Sequence, residues 1–272
     1  MMLIIKIEVQ QENRERLMIH ALKENGERFS FSVDQNVLIE FRLKKGMEVD
    51  EFTFQEIVYA DEVKKAYQIA LHFLSYRMRS EQEVVNHLKK KGKTEAVIRD
   101  VLHELRKHQY VNDEEFAQAY VQTQIKTTLK GPAVIRRELE GLGIAEDLIE
   151  QSLLLLTEDR QLEAAKKLYE KAMKQTKHRS VYEWKQYIEQ LLQRKGFPRW
   201  MAQKITDEHA QAPDEAKEWE ALEHHARKAH RRYQAYNGLI YEQKMKQALY
   251  RKGFSLEKIN EMLNKLKEEE NQ

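Results

Sequence analysis

The sequence predicts a mainly α-helical protein, an elongated tandem array of three-helix repeats with a small β-rich N-terminal subdomain. Only nine glycines and three prolines interrupt the 272 residues, and 34% of residues are charged, which favours long, solvated helices. A leucine, three residues and a helix-ending glycine recur four times, with the glycines 51, 53 and 57 residues apart. The four copies are Leu88–Gly92, Leu139–Gly143, Leu192–Gly196 and Leu249–Gly253. Units this small need stacked neighbours to bury a core.

Residues 1–57 have the pattern of a small sheet with one helix. The predicted strands are Leu3–Val9, Arg16–Leu22 and Arg28–Val33. The last of these follows the turn signal Asn25-Gly26. Asp34 can cap a short helix through Phe41, which the Lys-Lys-Gly sequence at 44–46 stops.

From about Asp61 the pattern is helical, and the first repeat spans 61–111. Ser80 and Glu83 form a capping box at the start of its middle helix. Gly92 has the position of the C′ residue that ends this helix. An apolar stripe then predicts the third helix: Val97, Ile98, Val101, Leu102 and Leu105.

Three further repeats are predicted over 112–158, 159–212 and 213–272. The second opens at Asn112, a capping residue with an acid three positions on, and Pro132 suits a first helical turn. The sequence Ala-Pro-Asp at 212–214 predicts the joint between the third and fourth repeats. A common register is kept six residues after the glycines, by Ile98, Ile149, Ala202 and Ile259.

The net charge of +2 is distributed unevenly. It changes from −3 over residues 1–60 to +4, −5, +5 and +1 over 61–111, 112–158, 159–212 and 213–272. Such alternation suits a partner with surfaces of both signs, such as a protein filament on nucleic acid. Alternatively, these are the charges that keep helical faces soluble.

No residue pattern indicates an enzyme, a cofactor or a metal site. The sequence lacks a phosphate loop, an HExxH helix and a GxSxG turn, and it has no cysteine. His224, His225 and His230 are interpreted as solvated, and the acids 113–115 as first-turn residues that complement their own helix dipole. With no apolar run of membrane-span length and no signal-peptide pattern, we expect a cytoplasmic protein.

Basic residues recur beside three of the four glycines. They are Lys89, Lys90, Lys91 and Lys93 in the first repeat, Arg194 and Lys195 in the third, and Arg251 and Lys252 in the fourth. Cations near a helix C-terminus are favourable for the dipole alone. Alternatively, stacking aligns them into a stripe that contacts an acidic filament surface or phosphates. The second repeat has Gly141-Leu142 instead, which weakens a continuous stripe.

A second basic group lies in the first helix of the fourth repeat. Its cations are Arg227, Lys228, Arg231 and Arg232, interleaved with Tyr233 and Tyr236. The mixture could contact phosphates and stack on bases. Alternatively, the helix is amphipathic and its tyrosines pack inward.

Three segments resemble the RecX family, over about residues 66–142. They are Arg77–Glu83 with Leu88–Gly92, then Tyr110–Tyr120, and then Lys130-Gly131-Pro132 followed by Ile135 and Leu139. The β-rich start and the fourth repeat resemble the longer forms of that family. Gln109 stands where the family usually has a glycine, and Asn112 where it often has an aspartate.

The resemblance implies a regulator of the RecA recombinase in recombination and the SOS response. It implies binding to the RecA–single-stranded DNA filament, with inhibition of RecA and no catalysis. Single-stranded DNA is a further expected partner through weak basic contacts, a membrane is not, and a monomer is expected. The alternative is a helical repeat protein that binds single-stranded nucleic acid independently of RecA.

Overall fold

A computed structural model of the protein describes residues 1–10, 15–174, 178–208 and 215–270, so the predicted joint at 212–214 lies outside them. The predicted fold class, mainly helical with tandem three-helix domains after a small sheet, is confirmed. Contacts divide the chain into two compact units. One comprises residues 1–117 and 140–148, the other 118–139 and 149–272. Within the described ranges, no helix is long and apolar enough to cross a bilayer.

The N-terminal region is a four-stranded antiparallel sheet in the order β3-β2-β1-β4. Its strands are β1 (Met2–Val9), β2 (Arg16–Lys23), β3 (Arg28–Asp34) and β4 (Glu48–Val49). The three longer strands were predicted from the sequence. The two-residue β4 was not, because it is too short to show a period.

Two helices follow from capping residues in this region. Asp34 caps α1 (Gln35–Glu40), with its carboxylate accepting from Asn36 N at 2.8 Å. The helix ends at Phe41, as predicted. Asp50 caps α2 (Glu51–Leu74), so the helical part begins ten residues before Asp61.

Helix α2 is shared by two cores. Ile57 is buried in the core beneath the sheet, whereas Ala66 and Ala70 are buried in the core of the first repeat. Between them, Asp61 accepts from Asp34 N at 2.8 Å and lies 2.9 Å from the Arg16 guanidinium. Burial alone would raise the pKa of Asp61, but hydrogen bonds from Arg16 and Lys65 outweigh it and lower that pKa.

The first repeat consists of α2, α3 (Glu81–Lys90) and α4 (Glu95–Lys107). The predicted capping box is confirmed, since Glu83 N donates to the Ser80 hydroxyl and Ser80 N donates to the Glu83 carboxylate. All five residues of the predicted α4 stripe are buried. The first repeat therefore has its own core, to which Leu88 also contributes.

The remaining helices continue the three-helix pattern. They are α5 (Asp113–Thr127), α6 (Pro132–Gly141), α7 (Glu146–Leu153), α8 (Glu158–Met173), α9 (Val181–Arg194), α10 (Arg199–Glu208), α11 (Glu215–Tyr233), α12 (Gly238–Tyr250) and α13 (Leu256–Glu270). Helices α8–α10 and α11–α13 each enclose a separate core. The repeat bounds drawn from the sequence stay a prediction.

Candidate partner-binding surface

Each recurring glycine lies just after the middle helix of a repeat, in the left-handed region. The φ values are +74° at Gly92, +79° at Gly143, and +88° at both Gly196 and Gly253. Glycine adopts this conformation without steric cost, which explains why it ends each helix. We call the glycine with the carbonyl of the residue before it the glycine turn. The leucine four positions before each glycine is buried in all four repeats.

Three glycine turns pack on the start of the preceding repeat's middle helix. In the first such contact, the Ser80 hydroxyl donates to the Leu142 carbonyl at 2.7 Å. A Cβ placed on Gly143 would lie 2.4 Å from the Cβ of Gln82, so only glycine fits between the turn and α3. We call each such contact a junction.

The junction between the second and third repeats uses backbone groups. Gly131 N donates to the Lys195 carbonyl at 2.7 Å, and Ala133 N donates to the Gly196 carbonyl at 3.1 Å. A Cβ on Gly196 would lie 2.5 Å from Val134 N. This junction explains why a glycine stands at 131, where the first repeat has a serine.

The junction between the third and fourth repeats again uses a serine hydroxyl as the donor. The Ser180 hydroxyl donates to the Lys252 carbonyl. A Cβ on Gly253 would lie 2.3 Å from the Cβ of Tyr182. The glycines therefore set the turns through which repeats stack, as the sequence predicted for these three.

Carboxylates from the next repeat complete the two serine junctions. The Asp113 carboxylate accepts from Glu81 N at 2.8 Å, and the Glu218 carboxylate accepts from Val181 N at 3.1 Å. The sequence predicted for Asp113 only a role in complementing the dipole of its own helix. This interpretation is incomplete, because its carboxylate also accepts a hydrogen bond from the first N–H of α3. Burial raises the pKa of Asp113 against the opposing effect of this hydrogen bond.

Two of the predicted contact residues in the first repeat form ion pairs. Lys89 Nζ lies 3.2 Å from the Glu95 carboxylate, in an exposed pair. Lys93 Nζ lies 2.9 Å from Glu62 and its side chain is largely buried. Lys93 thus connects the end of the glycine turn to α2.

Two predicted contact residues in the other compact unit are also paired. Lys252 Nζ lies 2.7 Å from Glu183, and Arg227 lies 2.6 Å from Glu223. The guanidinium of Arg227 also approaches Glu269 at 3.1 Å. The charge of each cation is already compensated at the surface.

The other eight predicted contact residues are exposed and form no ion pair with another described residue. They are Lys90, Lys91, Arg194, Lys195, Lys228, Arg231, Arg232 and Arg251. Five of these cations lie at the C-terminal ends of α3, α9 and α12, where the helix dipole favours positive charge. The other three lie on α11.

The tyrosines of the second basic group differ from each other. Tyr233 packs partly against the core of the fourth repeat, whereas Tyr236 is 45% exposed. The expectation that both pack inward is wrong for Tyr236, because it lies beyond the end of α11. The Lys244 ammonium is 4.6 Å from the Tyr236 ring centroid, so the exposed ring has a cation beside it.

Among the described residues, no group of acidic or histidine side chains is arranged to hold a metal ion. His225 is partly buried, with Nε2 3.1 Å from the His178 carbonyl and 3.1 Å from the Glu183 carboxylate. Burial lowers the pKa of His225, against the raising effect of Glu183. The interpretation of these histidines as solvated is therefore wrong for His225, which lies at the junction between the third and fourth repeats.

Sequence models of one family match most of the chain. "Regulatory protein RecX N-terminal domain" matches residues 2–50, and the first and second RecX three-helix domains match 66–105 and 112–153. The third RecX three-helix domain matches 216–263. The chain belongs to the RecX family of regulatory proteins. The model of the family's third domain thus matches the fourth repeat, beyond residues 159–212.

Individual RecX proteins agree over nearly the full length. "Regulatory protein RecX" of Geobacillus sp. (strain WCH70) is 60% identical over 98% of both chains, and that of Geobacillus kaustophilus is 50% identical over 96% of both. A crystal structure of regulatory protein RecX is 37% identical, with a TM-score of 0.68, over 76% of this chain and 100% of that chain. RecX from Lactobacillus salivarius, at 34% identity, has a TM-score of 0.52 over 55% of this chain and 97% of its own.

The glycine that the resemblance predicts at position 109 has a structural reason. Gln109, which stands there instead, has a φ of +57°. Its N–H donates to Arg106 O at the end of α4, and Tyr110 N donates to Leu105 O. The turn after α4 therefore requires a left-handed residue, which an L side chain adopts at a cost.

Proposed function

We propose that this RecX protein binds the RecA–single-stranded DNA filament and inhibits RecA in recombination and the SOS response. It would act as a cytoplasmic monomer and as a binding protein without catalysis. Membership of the RecX family over nearly the whole chain carries this proposal.

The distribution of exposed charge supports binding to a long partner. Eight of the twelve predicted contact residues are exposed, form no ion pair with another described residue and are distributed over the first, third and fourth repeats. Contacts of modest strength in several repeats add through multivalency, because the second contact of one molecule is intramolecular. A filament built of identical protomers offers equivalent binding sites along its length.

The test is a RecA ATPase assay on single-stranded DNA, with filament length measured in parallel. We expect the full chain to lower ATP hydrolysis and to shorten filaments at less than one molecule per RecA protomer. Unchanged hydrolysis at a saturating concentration of the protein would contradict the proposal.

An experiment without RecA distinguishes the proposed function from the alternative, which is binding to single-stranded nucleic acid independently of RecA. A labelled single-stranded oligonucleotide is titrated with the protein without RecA, at about 50 and about 200 mM salt. Binding tighter than that to the filament, with a steep decrease as salt rises, would favour an independent nucleic-acid-binding protein. Weak binding that RecA strengthens is the result we expect.

A further inference from the structure

The last repeat has an open face where the first three have a junction. Ser80, Gly131 and Ser180 begin their middle helices and are buried. Asn237 begins α12, is exposed and makes no side-chain capping hydrogen bond. No described residue supplies a glycine turn to the start of α12.

The open face carries large apolar side chains in solvent. Leu239 is 87% exposed and Ile240 is 55% exposed, and Tyr236 lies just before them. We call Tyr236, Asn237, Leu239 and Ile240 the terminal face. Lys244 lies over the Tyr236 ring, and Arg232 lies over the neighbouring ring of Tyr233. The terminal face is thus apolar with cations along one side.

The three junctions indicate what fits such a face. Each receives a carbonyl from a glycine turn at the end of a helix, and the two serine junctions also receive a carboxylate. The carbonyls at a helix C-terminus carry partial negative charge, and N–H groups at a helix N-terminus carry partial positive charge. An occupant with a glycine turn and an acidic residue therefore complements α12 and the adjacent cations.

The glycine turn of the first repeat in a second copy is a poor occupant. After the glycine, the three turns that form junctions have buried apolar residues, Ile144, Phe197 and Phe254. The first repeat has Lys93 there, ion-paired with Glu62. In a second copy, this ion pair would stand at the position where the three turns that form junctions have a buried apolar residue. The occupant is therefore a different protein.

We propose that the terminal face binds a RecA protomer through a helix of that protomer that ends in a glycine turn beside a carboxylate. This inference rests on the proposed function and names the surface that carries it. The occupant would continue the stacking of the repeats onto the filament. The apolar contact with Leu239 and Ile240 would exclude water from the hydrogen bonds at the start of α12.

The test compares Leu239→Glu with a matched control, Leu154→Glu. Both leucines are highly exposed, at 87% and 79%, and both changes add one negative charge. Labelled protein is titrated with RecA filaments assembled on single-stranded DNA with a non-hydrolysable ATP analogue. We expect Leu239→Glu to weaken binding about tenfold and Leu154→Glu to weaken it less than about twofold. Circular dichroism of each variant checks that the helices are retained.

The outcomes separate this inference from the proposed function. Equal binding by the wild type and Leu239→Glu would overturn the inference that the terminal face binds RecA, and it would leave the proposed function unaffected. Absence of wild-type binding would overturn both. Self-association of the wild type in sedimentation, lost in Leu239→Glu, would show that the occupant is a second copy and would also overturn the inference.

Photo-crosslinking identifies the occupant directly. A benzophenone side chain at position 239 is irradiated in the filament complex, and the crosslinked RecA residues are located by mass spectrometry. We expect them at the C-terminal end of a RecA helix next to a glycine and an acidic residue. Crosslinks confined to any other part of RecA would contradict the inference.

Discussion

The Ser80 hydroxyl donates a 2.7 Å hydrogen bond to the Leu142 carbonyl, 62 residues further along the chain. The same oxygen accepts from Glu83 N, so one buried side chain both caps α3 and receives the second repeat. Local capping and the stacking of these two repeats therefore depend on one hydroxyl.

Replacing Ser80 by alanine is expected to cost about 2 kcal/mol, because a cap is lost and the Leu142 carbonyl loses its donor. Thr94→Ala is the control, since Thr94 caps α4 in the same repeat, where its hydroxyl accepts from Val97 N at 3.5 Å and forms no hydrogen bond with another described residue. Its cost should remain below about 1 kcal/mol. Urea unfolding measures both variants, and equal costs would contradict a junction role for Ser80.

The glycine turns allow a second comparison. Gly92 and Gly143 have almost the same φ, but a Cβ on Gly92 would have no atom within 4 Å, whereas one on Gly143 would meet Gln82. Gly92→Ala should therefore cost about 1 kcal/mol of backbone strain. Gly143→Ala should cost about 3 kcal/mol, since overpacking is added. Similar unfolding midpoints for the two variants would contradict the packing argument.

A glycine at position 109 should stabilise the protein. Gln109→Gly removes the strain of a left-handed glutamine, and the flexibility that glycine adds to the unfolded chain offsets part of that gain. We expect a net increase of about 0.5–1 kcal/mol in the free energy of unfolding. Arg99→Gly, within the same α4, should instead lower it by about 1 kcal/mol. A loss of stability in Gln109→Gly would exclude this account of the turn.

Stability should decrease on acidification because of His225. Burial lowers its pKa in the folded state, so as the pH falls through the ordinary histidine value of about 6.5 the unfolded chain binds more protons at this site. The stability that neutral His225 contributes is present above the pKa of the unfolded chain, and it is lost as the pH falls through the pKa of the folded state. In His225→Gln the decrease should be shallower, and part should remain because burial also lowers the pKa of His87. An unchanged pH profile would exclude His225 as a contributor.

Charge reversal tests the predicted contact residues. Arg194→Glu with Arg251→Glu should weaken binding to RecA filaments about tenfold and reduce its salt dependence, because both cations are exposed and form no ion pair with the residues that the structure describes. Lys6→Glu with Lys23→Glu is the charge-matched control, since these lysines pair with Glu8 and Glu27 on the sheet. Equal losses in the two double variants would indicate an effect of net charge alone.

Local signals in the sequence predicted much of this fold. Helix starts were marked by Ser80 with Glu83, by Asn112 and by Pro132. These signals are local, because capping and the fixed φ of proline act within a few residues. The glycines marked helix ends for the same reason. The leucine-to-glycine spacing then predicted the repeats, because the position of each buried leucine relative to its turn is fixed by the helix itself.

Features that depend on distant residues were not predictable. The approach of Gly143 to Gln82 and the carboxylate of Asp113 at the start of α3 involve residues far apart in sequence. The pairing of Lys93 with Glu62 could not be distinguished from an exposed, unpaired lysine. The open terminal face likewise becomes visible only once the other three repeats show what normally covers it.

The junctions have a consequence for how such chains change in length. Each repeat offers a helix start on one side and a glycine turn on the other, so a complete three-helix unit inserted between two others could form a junction on both of its sides. The array is in this sense modular. Residues 159–212 fit this description, since they lie between segments that match the family's second and third domains. A lineage could gain or lose one unit without redesigning its neighbours.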